Sequence, residues 1–130
     1  MNIDTHKKIN KKLVGTPTLV EKGIKSEVIL KTIDEMAADE YDLIHGGFTY
    51  GLADYAAMLA VNHPNVVLGT SESKYIAPVK VGETLKAVAN VNEVSGRKHT
   101  VSVEVFVGEK KVFEGNFKCY VLDKHVLTSW

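Results

Sequence analysis

Strict alternation marks residues 100–107, "TVSVEVFV", where Val101, Val103, Val105 and Val107 fall on one face and Thr100, Ser102, Glu104 and Phe106 on the other. A period of two is that of a strand buried on one side. That run lies within a segment at 98–108, and with comparable segments at 66–77, 83–94 and 111–122, parted by turn signals in "APVKVGET", "VSGRK" and "VGEKK", it predicts a run of four strands. Ahead of them, residues 18–30 mix β-branched side chains with charges and predict one further strand, bulged at Gly23. Between these regions the alternation stops. Residues 48–61 predict about four turns of helix, entered through Gly46 and Gly47 and ended by Pro64 in "NHPN". The acidic stretch "TIDEMAADEYDL" connects the first strand to this helix.

Strand, helix, then four strands predicts an α+β fold, one antiparallel sheet with a single long helix. The helix is apolar nearly all round, so the sheet must curl about it or a second copy of the chain must cover it. Residues 1–16 set Lys7, Lys8, Lys11 and Lys12 among Ile3, Ile9 and Leu13, the pattern of an arm or short surface helix. Residues 17–130 are expected to form one domain.

Composition narrows the function. The 130 residues carry 16 basic and 16 acidic side chains, so no global field draws the protein to nucleic acid or to an anionic membrane. No apolar run reaches the roughly 20 residues of a membrane-spanning helix. With one cysteine, Cys119, and no apolar signal core in "MNIDTHKKINKKLVG", a reduced, cytoplasmic protein is expected. Cys119 sits on an alternating strand as a small core residue. His6, His63, His99 and His125 have no metal-ligand spacing, and neither a metal nor a cofactor is expected.

The chemistry concentrates in "IHGGFTYGLADYAAMLAVN". From Gly46 to Asn62 its only charge is Asp54, and no Lys or Arg occurs through Val67. A carboxylate in so apolar a helix either reaches solvent or is desolvated and tuned as a base. Gly46 and Gly47 stand where the first helical N–H groups lack acceptors and the helix dipole is positive, which suits an acyl oxygen gaining negative charge. Equally, they only turn the chain. His45, just before them, either orders the helix entrance or transfers a proton. Asp54 lies eight residues past Gly46, about 12 Å along one helix, so a single carbonyl cannot touch both. If they cooperate, Gly46 of one chain must meet Asp54 of another across a two-fold axis, which predicts an obligate homodimer.

These residues resemble a known family. His45-Gly46-Gly47 followed by Leu52-Ala53-Asp54, with "YIAPVKVGETLKAVANV" downstream, is similar to hotdog-fold acyl-CoA thioesterases of the phenylacetate-pathway, PaaI-like, type over about residues 18–122. The resemblance implies a curled antiparallel sheet wrapped around one long central helix, paired into homodimers and often homotetramers. It also implies hydrolysis of an acyl-CoA thioester, with the Gly46 N–H polarising the carbonyl and Asp54 of the other subunit acting as base or nucleophile.

Two positions depart from the family pattern. Asp39 stands six residues before His45, where relatives commonly carry an amide near the water; a carboxylate there raises the pKa of Asp54 or points to solvent. Leu68 stands where relatives often place a hydroxyl, with Thr70 and Ser71 close by in sequence. Phe48, Tyr50, Tyr55 and Tyr75 are candidates for the acyl pocket, with helical spacing favouring a core role for Phe48 and Tyr55, and Lys74, Lys80, Arg97 and Lys98 are the cations available to the CoA phosphates. The competing reading is a hotdog module that binds acyl- or malonyl-CoA without hydrolysing it, as in repressors of fatty-acid synthesis, which "VKVGETLKAVANV" and "VGEKKVFEGNF" also resemble. Against it stand Asp54 and the lack of a helix-turn-helix ahead of the domain. A hydratase of the same fold would need a His-Phe-Pro motif that "NHP" does not supply.

Overall fold

The computed structural model describes residues 1–129; Trp130, the last residue of the expected domain, lies outside them. The elements are α1 (Lys11–Val14), β1 (Thr16–Glu21), β2 (Lys25–Lys31), a 3-10 turn at Asp34–Met36, α2 (Gly46–Val61), β3 (Val66–Tyr75), β4 (Thr84–Ser95), β5 (Lys98–Val107), β6 (Lys110–Val121) and α3 (Val126–Ser129). All six strands join one antiparallel sheet in the order β1-β2-β4-β5-β6-β3. β1 and β3 are its edges, so the sheet is not closed.

The single strand expected at 18–30 is instead a hairpin. Gly23 takes φ +75, a conformation that costs glycine little, and turns the chain back so that β1 pairs with β2. Turn and bulge signals are both a glycine among β-branched residues, so local pattern does not separate them. The helix starts two residues earlier than the pattern implies, at Gly46.

α2 packs against the inward face of the sheet. Val101, Val103 and Val105 of β5 are buried as their alternation predicts, beside Leu85, Ala87 and Ala89 of β4 and Phe113, Phe117 and Cys119 of β6. Ala53, Ala56, Ala57 and Ala60 are fully buried on the helix, and such short side chains let the strands approach closely. Bulges at Leu68/Thr70 in β3 and Val91/Glu93 in β4 strengthen the twist that curls the sheet.

The far side of α2 is covered from within the chain. Ile3, Ile9, Leu13 and Val14 pack on the core, the His6 ring lies 6.1 Å from that of Tyr55, and Asn62 holds the arm in place. Asn62, buried at the left-handed C-terminal cap of α2, accepts the Asp4 N–H at 2.7 Å and donates to the Asn2 carbonyl at 2.9 Å. The helix's least covered stripe is Gly47, Tyr50, Gly51 and Asp54, spaced at i, i+3, i+4 and i+7.

Candidate functional site

The site begins where the chain enters α2. Residues 36–45 fold back on themselves, with Ala38 N–H donating to the Leu43 carbonyl and His45 N–H to the Met36 carbonyl, and then dock on the loop after β3. Ile44 N–H donates to the Val79 carbonyl, Val81 N–H to the Asp42 carbonyl, and Leu43 bridges Lys80. This short ribbon fixes the helix entrance. No hydrogen bond is made by the N–H of Gly46 or Gly47 among the described residues, as expected for the first turn of a helix.

Each glycine has a side chain against it. A Cβ on Gly46 would lie 3.0 Å from the Tyr75 ring, and the Tyr75 hydroxyl donates to the Gly46 carbonyl at 2.9 Å. A Cβ on Gly47 would lie 2.8 Å from His45 Nε2. His45 therefore holds the entrance by its backbone N–H, while its exposed imidazole folds over Gly47 and makes no hydrogen bond among the described residues. An uncharged groove of about 310 Å³ opens beside Gly46, walled by Leu43, Thr49, Tyr75, Ile76 and Pro78.

Two turns further along α2, Asp54 is partly buried. Its Oδ1 is shut off from solvent and accepts no hydrogen bond among the described residues. Desolvation pushes the carboxyl up to about 6. Beside it lies Cys119 of β6, fully buried, whose thiol is pushed up to about 12 by burial and then by the Asp54 charge. Such a thiol is a core group without nucleophilic character at neutral pH.

One turn before Asp54 on the same stripe, the Tyr50 hydroxyl and Ser71 Oγ are 2.6 Å apart, and the Tyr50 ring packs on Phe113 and Phe117. The β3 bulge selects Ser71. Leu68 pairs with the buried Cys119 and Ser71 with the buried Phe117, so both face the helix across an extra residue at Gly69. Thr70, opposite exposed Lys118, faces outward, and so does Lys74, opposite Glu114. Asp39 is exposed and uses Oδ1 to accept the Tyr41 and Leu43 N–H groups at 2.9 and 3.1 Å, so its carboxylate braces the turn before the helix. The structure thus gathers Gly46, Gly47 and His45 at the helix entrance and Tyr50, Ser71 and Asp54 along the stripe, and leaves Thr70 and Lys74 on the outer face of the sheet. Tyr75, one of the aromatic residues expected from sequence to line an acyl pocket, lies instead against the helix entrance, with its hydroxyl on the Gly46 carbonyl.

Among the described residues no group of three or more His, Cys, Asp or Glu side chains could hold a metal ion, and no helix is long and apolar enough to cross a membrane.

An open six-stranded antiparallel sheet curled on one long helix is the hotdog fold. A family model described as the thioesterase superfamily matches residues 41–114, more than half of the chain, and the chain belongs to that superfamily. It is 53% identical over 117 residues to an Aquifex aeolicus protein named methylthioribose-1-phosphate isomerase, covering 90% of this chain and 25% of that one. It is also 31% identical over 115 residues to the transcription factor FapR of Caldanaerobacter subterraneus, covering 88% of this chain and 58% of FapR. The chain therefore spans a quarter to somewhat over half of these relatives. Among solved structures, the uncharacterized protein PH1136 of Pyrococcus horikoshii superposes with a TM-score of 0.95 at 55% identity, covering 98% and 97% of the two chains. A point mutant of the phenylacetic acid degradation protein PaaI of Thermus thermophilus superposes with a TM-score of 0.78 at 27% identity, covering 86% and 97%.

Proposed function

We propose that the protein hydrolyses an acyl-CoA thioester to the free acid and CoA, with Asp54 of one subunit acting on a carbonyl held by the Gly46 N–H of its partner. The observation that carries this reading is the Asp54 carboxylate, held without a hydrogen-bond partner on Oδ1 and pushed up to about 6, where it serves as a proton acceptor near neutral pH. As a base, Asp54 takes a proton from water while the water oxygen attacks the thioester carbon. Negative charge moves to the carbonyl oxygen and meets the free N–H at the positive end of α2. Collapse breaks the C–S bond, and the thiolate takes back the proton from Asp54. As a nucleophile, the carboxylate attacks the carbon directly, expels the thiolate and forms an anhydride that water then cleaves. Both routes place growing charge at Gly46, so both need the same two groups.

A dimer is required because those groups lie on one helix about 12 Å apart. Support comes from β3, a ten-residue edge strand with one unpaired side, which Tyr50 of the stripe joins through Ser71. Two-fold pairing along that edge sets two copies of α2 antiparallel and brings each Asp54 toward the other chain's entrance.

The second reading, binding of an acyl-CoA without turnover, is favoured by the similarity to FapR, which is named a transcription factor. A panel of acetyl-, butyryl-, octanoyl- and phenylacetyl-CoA separates the two. The wild type should hydrolyse at least one, and Asp54→Asn should lose on the order of 10²-fold or more in kcat. Equal rates in both proteins would sink the role of Asp54, and tight binding without turnover in both would favour the second reading.

A further inference from the structure

Adjoining the uncharged groove at Gly46 is a second, wider depression of about 580 Å³. The two share Leu43, Pro78 and Val79 in their walls, so they are neighbours on the surface. Their chemistry differs. The first has no charged side chain in its lining, whereas the second is lined by Lys80, Lys110, Asp39, Glu83 and Tyr41.

Its two carboxylates are engaged by backbone. Asp39 accepts two N–H groups of its own turn, and Glu83 accepts the Lys80 N–H at 2.7 Å. Among the described residues the ammonium groups of Lys80 and Lys110 make no ion pair, and Tyr41 is 87% exposed. Lys80 is also fixed relative to the helix entrance. It bridges Leu43, three residues before Gly46, so its Cα lies no more than about 16 Å from that of Gly46, adding one strand spacing to three extended residues.

From Gly46 outward the surface therefore runs from a carbonyl-polarising N–H, through an uncharged channel, to two cations beside an exposed aromatic ring. CoA has the same order of chemistry from its sulfur outward: an uncharged pantetheine arm, then a diphosphate and a phosphorylated adenosine. We propose that the depression formed by Tyr41, Lys80 and Lys110 seats the nucleotide end of the CoA thioester, with the pantetheine arm in the groove beside Gly46. The acyl group then extends away from this groove, toward the Tyr50–Ser71 pair and the other subunit. The lysines meet phosphate oxygens as point charges, and Tyr41 offers its face to the adenine. Of the other cations, Lys74 faces outward on the sheet and Arg97 is paired with Asp123.

This inference rests on the acyl-CoA reading of the site, and its test separates the two. An acyl-CoA that the wild type hydrolyses is compared with the matching acyl-pantetheine, which lacks the nucleotide, for the wild type, Lys80→Gln/Lys110→Gln and the charge-matched control Lys118→Gln/Lys124→Gln, two exposed lysines outside both depressions. The double variant should raise KM for the acyl-CoA on the order of tenfold with kcat unchanged, leave KM for the acyl-pantetheine alone, and flatten the salt dependence of KM. Binding of CoA itself, followed by calorimetry, should weaken by a similar factor in the double variant and hold in the control. Unchanged acyl-CoA KM and CoA affinity in a folded double variant, or an equal rise in KM for both substrates, overturns the nucleotide seat while leaving hydrolysis standing. A wild type that neither binds CoA nor cleaves any thioester overturns both.

Discussion

At the scale of single residues, Asp54 makes a prediction whose sign is fixed by its environment. Burial raises its carboxyl from 3.8 to about 6, so the folded state holds the proton more tightly than the unfolded chain. The stability this confers is fully present below about pH 4 and is lost as pH rises through about 6. Asp54→Asn should therefore be more stable than the wild type at pH 8, by on the order of 3 kcal/mol at most, and equal to it near pH 4; urea unfolding at both values measures the difference. The rate should carry the opposite trend, kcat/KM rising with pH to a plateau with its midpoint near 6. A variant more stable at pH 8 yet inactive is the signature of a group retained for chemistry at a cost in stability. Asp54 was legible in the sequence because one charge in 17 residues without a counter-ion has few structural explanations. The hydroxyl that meets Tyr50 was not: Thr70 and Ser71 are adjacent in sequence, and only the bulge at Gly69 decides which one faces the helix.

At the scale of elements, the arm of residues 1–10 is tied down chiefly through Asn62. Asn62 does two jobs, taking φ +56 at the end of α2 and bonding Asn2 and Asp4 through its amide. Asn62→Gly keeps the turn and loses the bonds, whereas Asn62→Ala loses both. Replacement by Ala should cost about 3 kcal/mol and by Gly about 1 kcal/mol less, with amide hydrogen exchange in residues 1–10 accelerating in both variants. Equal exchange in variant and wild type would count against the tether. His6 adds a pH response of known direction. Burial lowers its pKa below 6.5, so its contribution is present above that pH and declines as pH falls through the folded value, loosening the arm in acid. The alternating strands β4 to β6 were readable because each buries one face, and a period of two survives bulges at single positions. The hairpin of β1 and β2 and the docking of the arm were not, since a turn of Gly23 and a contact between residues 2 and 62 leave no periodic trace.

At the scale of the whole molecule, the proposed site places both of its halves on one chain, too far apart for that chain to assemble it alone. The helix gives the reason in its own dimensions: its first turn supplies unpaired N–H groups, and its least covered stripe reaches a carboxylate only at its third turn. In the proposed dimer, antiparallel pairing of two such helices would generate two sites, each drawing its N–H from one chain and its carboxylate from the other. Complementation tests this directly. Asp54→Asn and Gly46→Val are each expected to be inactive, the second because a branched side chain at the entrance displaces Tyr75, whose ring already lies 3.0 Å from a Cβ at that position. Unfolded together and refolded as a mixture, half of the dimers are mixed, and each mixed dimer contains one intact site and one doubly broken site. About a quarter of the wild-type activity should return. Sites confined to single chains would give none, because every chain in the mixture lacks one of the two groups. Verified mixed dimers without activity would therefore reject the shared site even if hydrolysis by the wild type is established. Recovery near a quarter would establish that each site draws the Gly46 N–H from one chain and the Asp54 carboxylate from the other, as antiparallel pairing of the two helices requires.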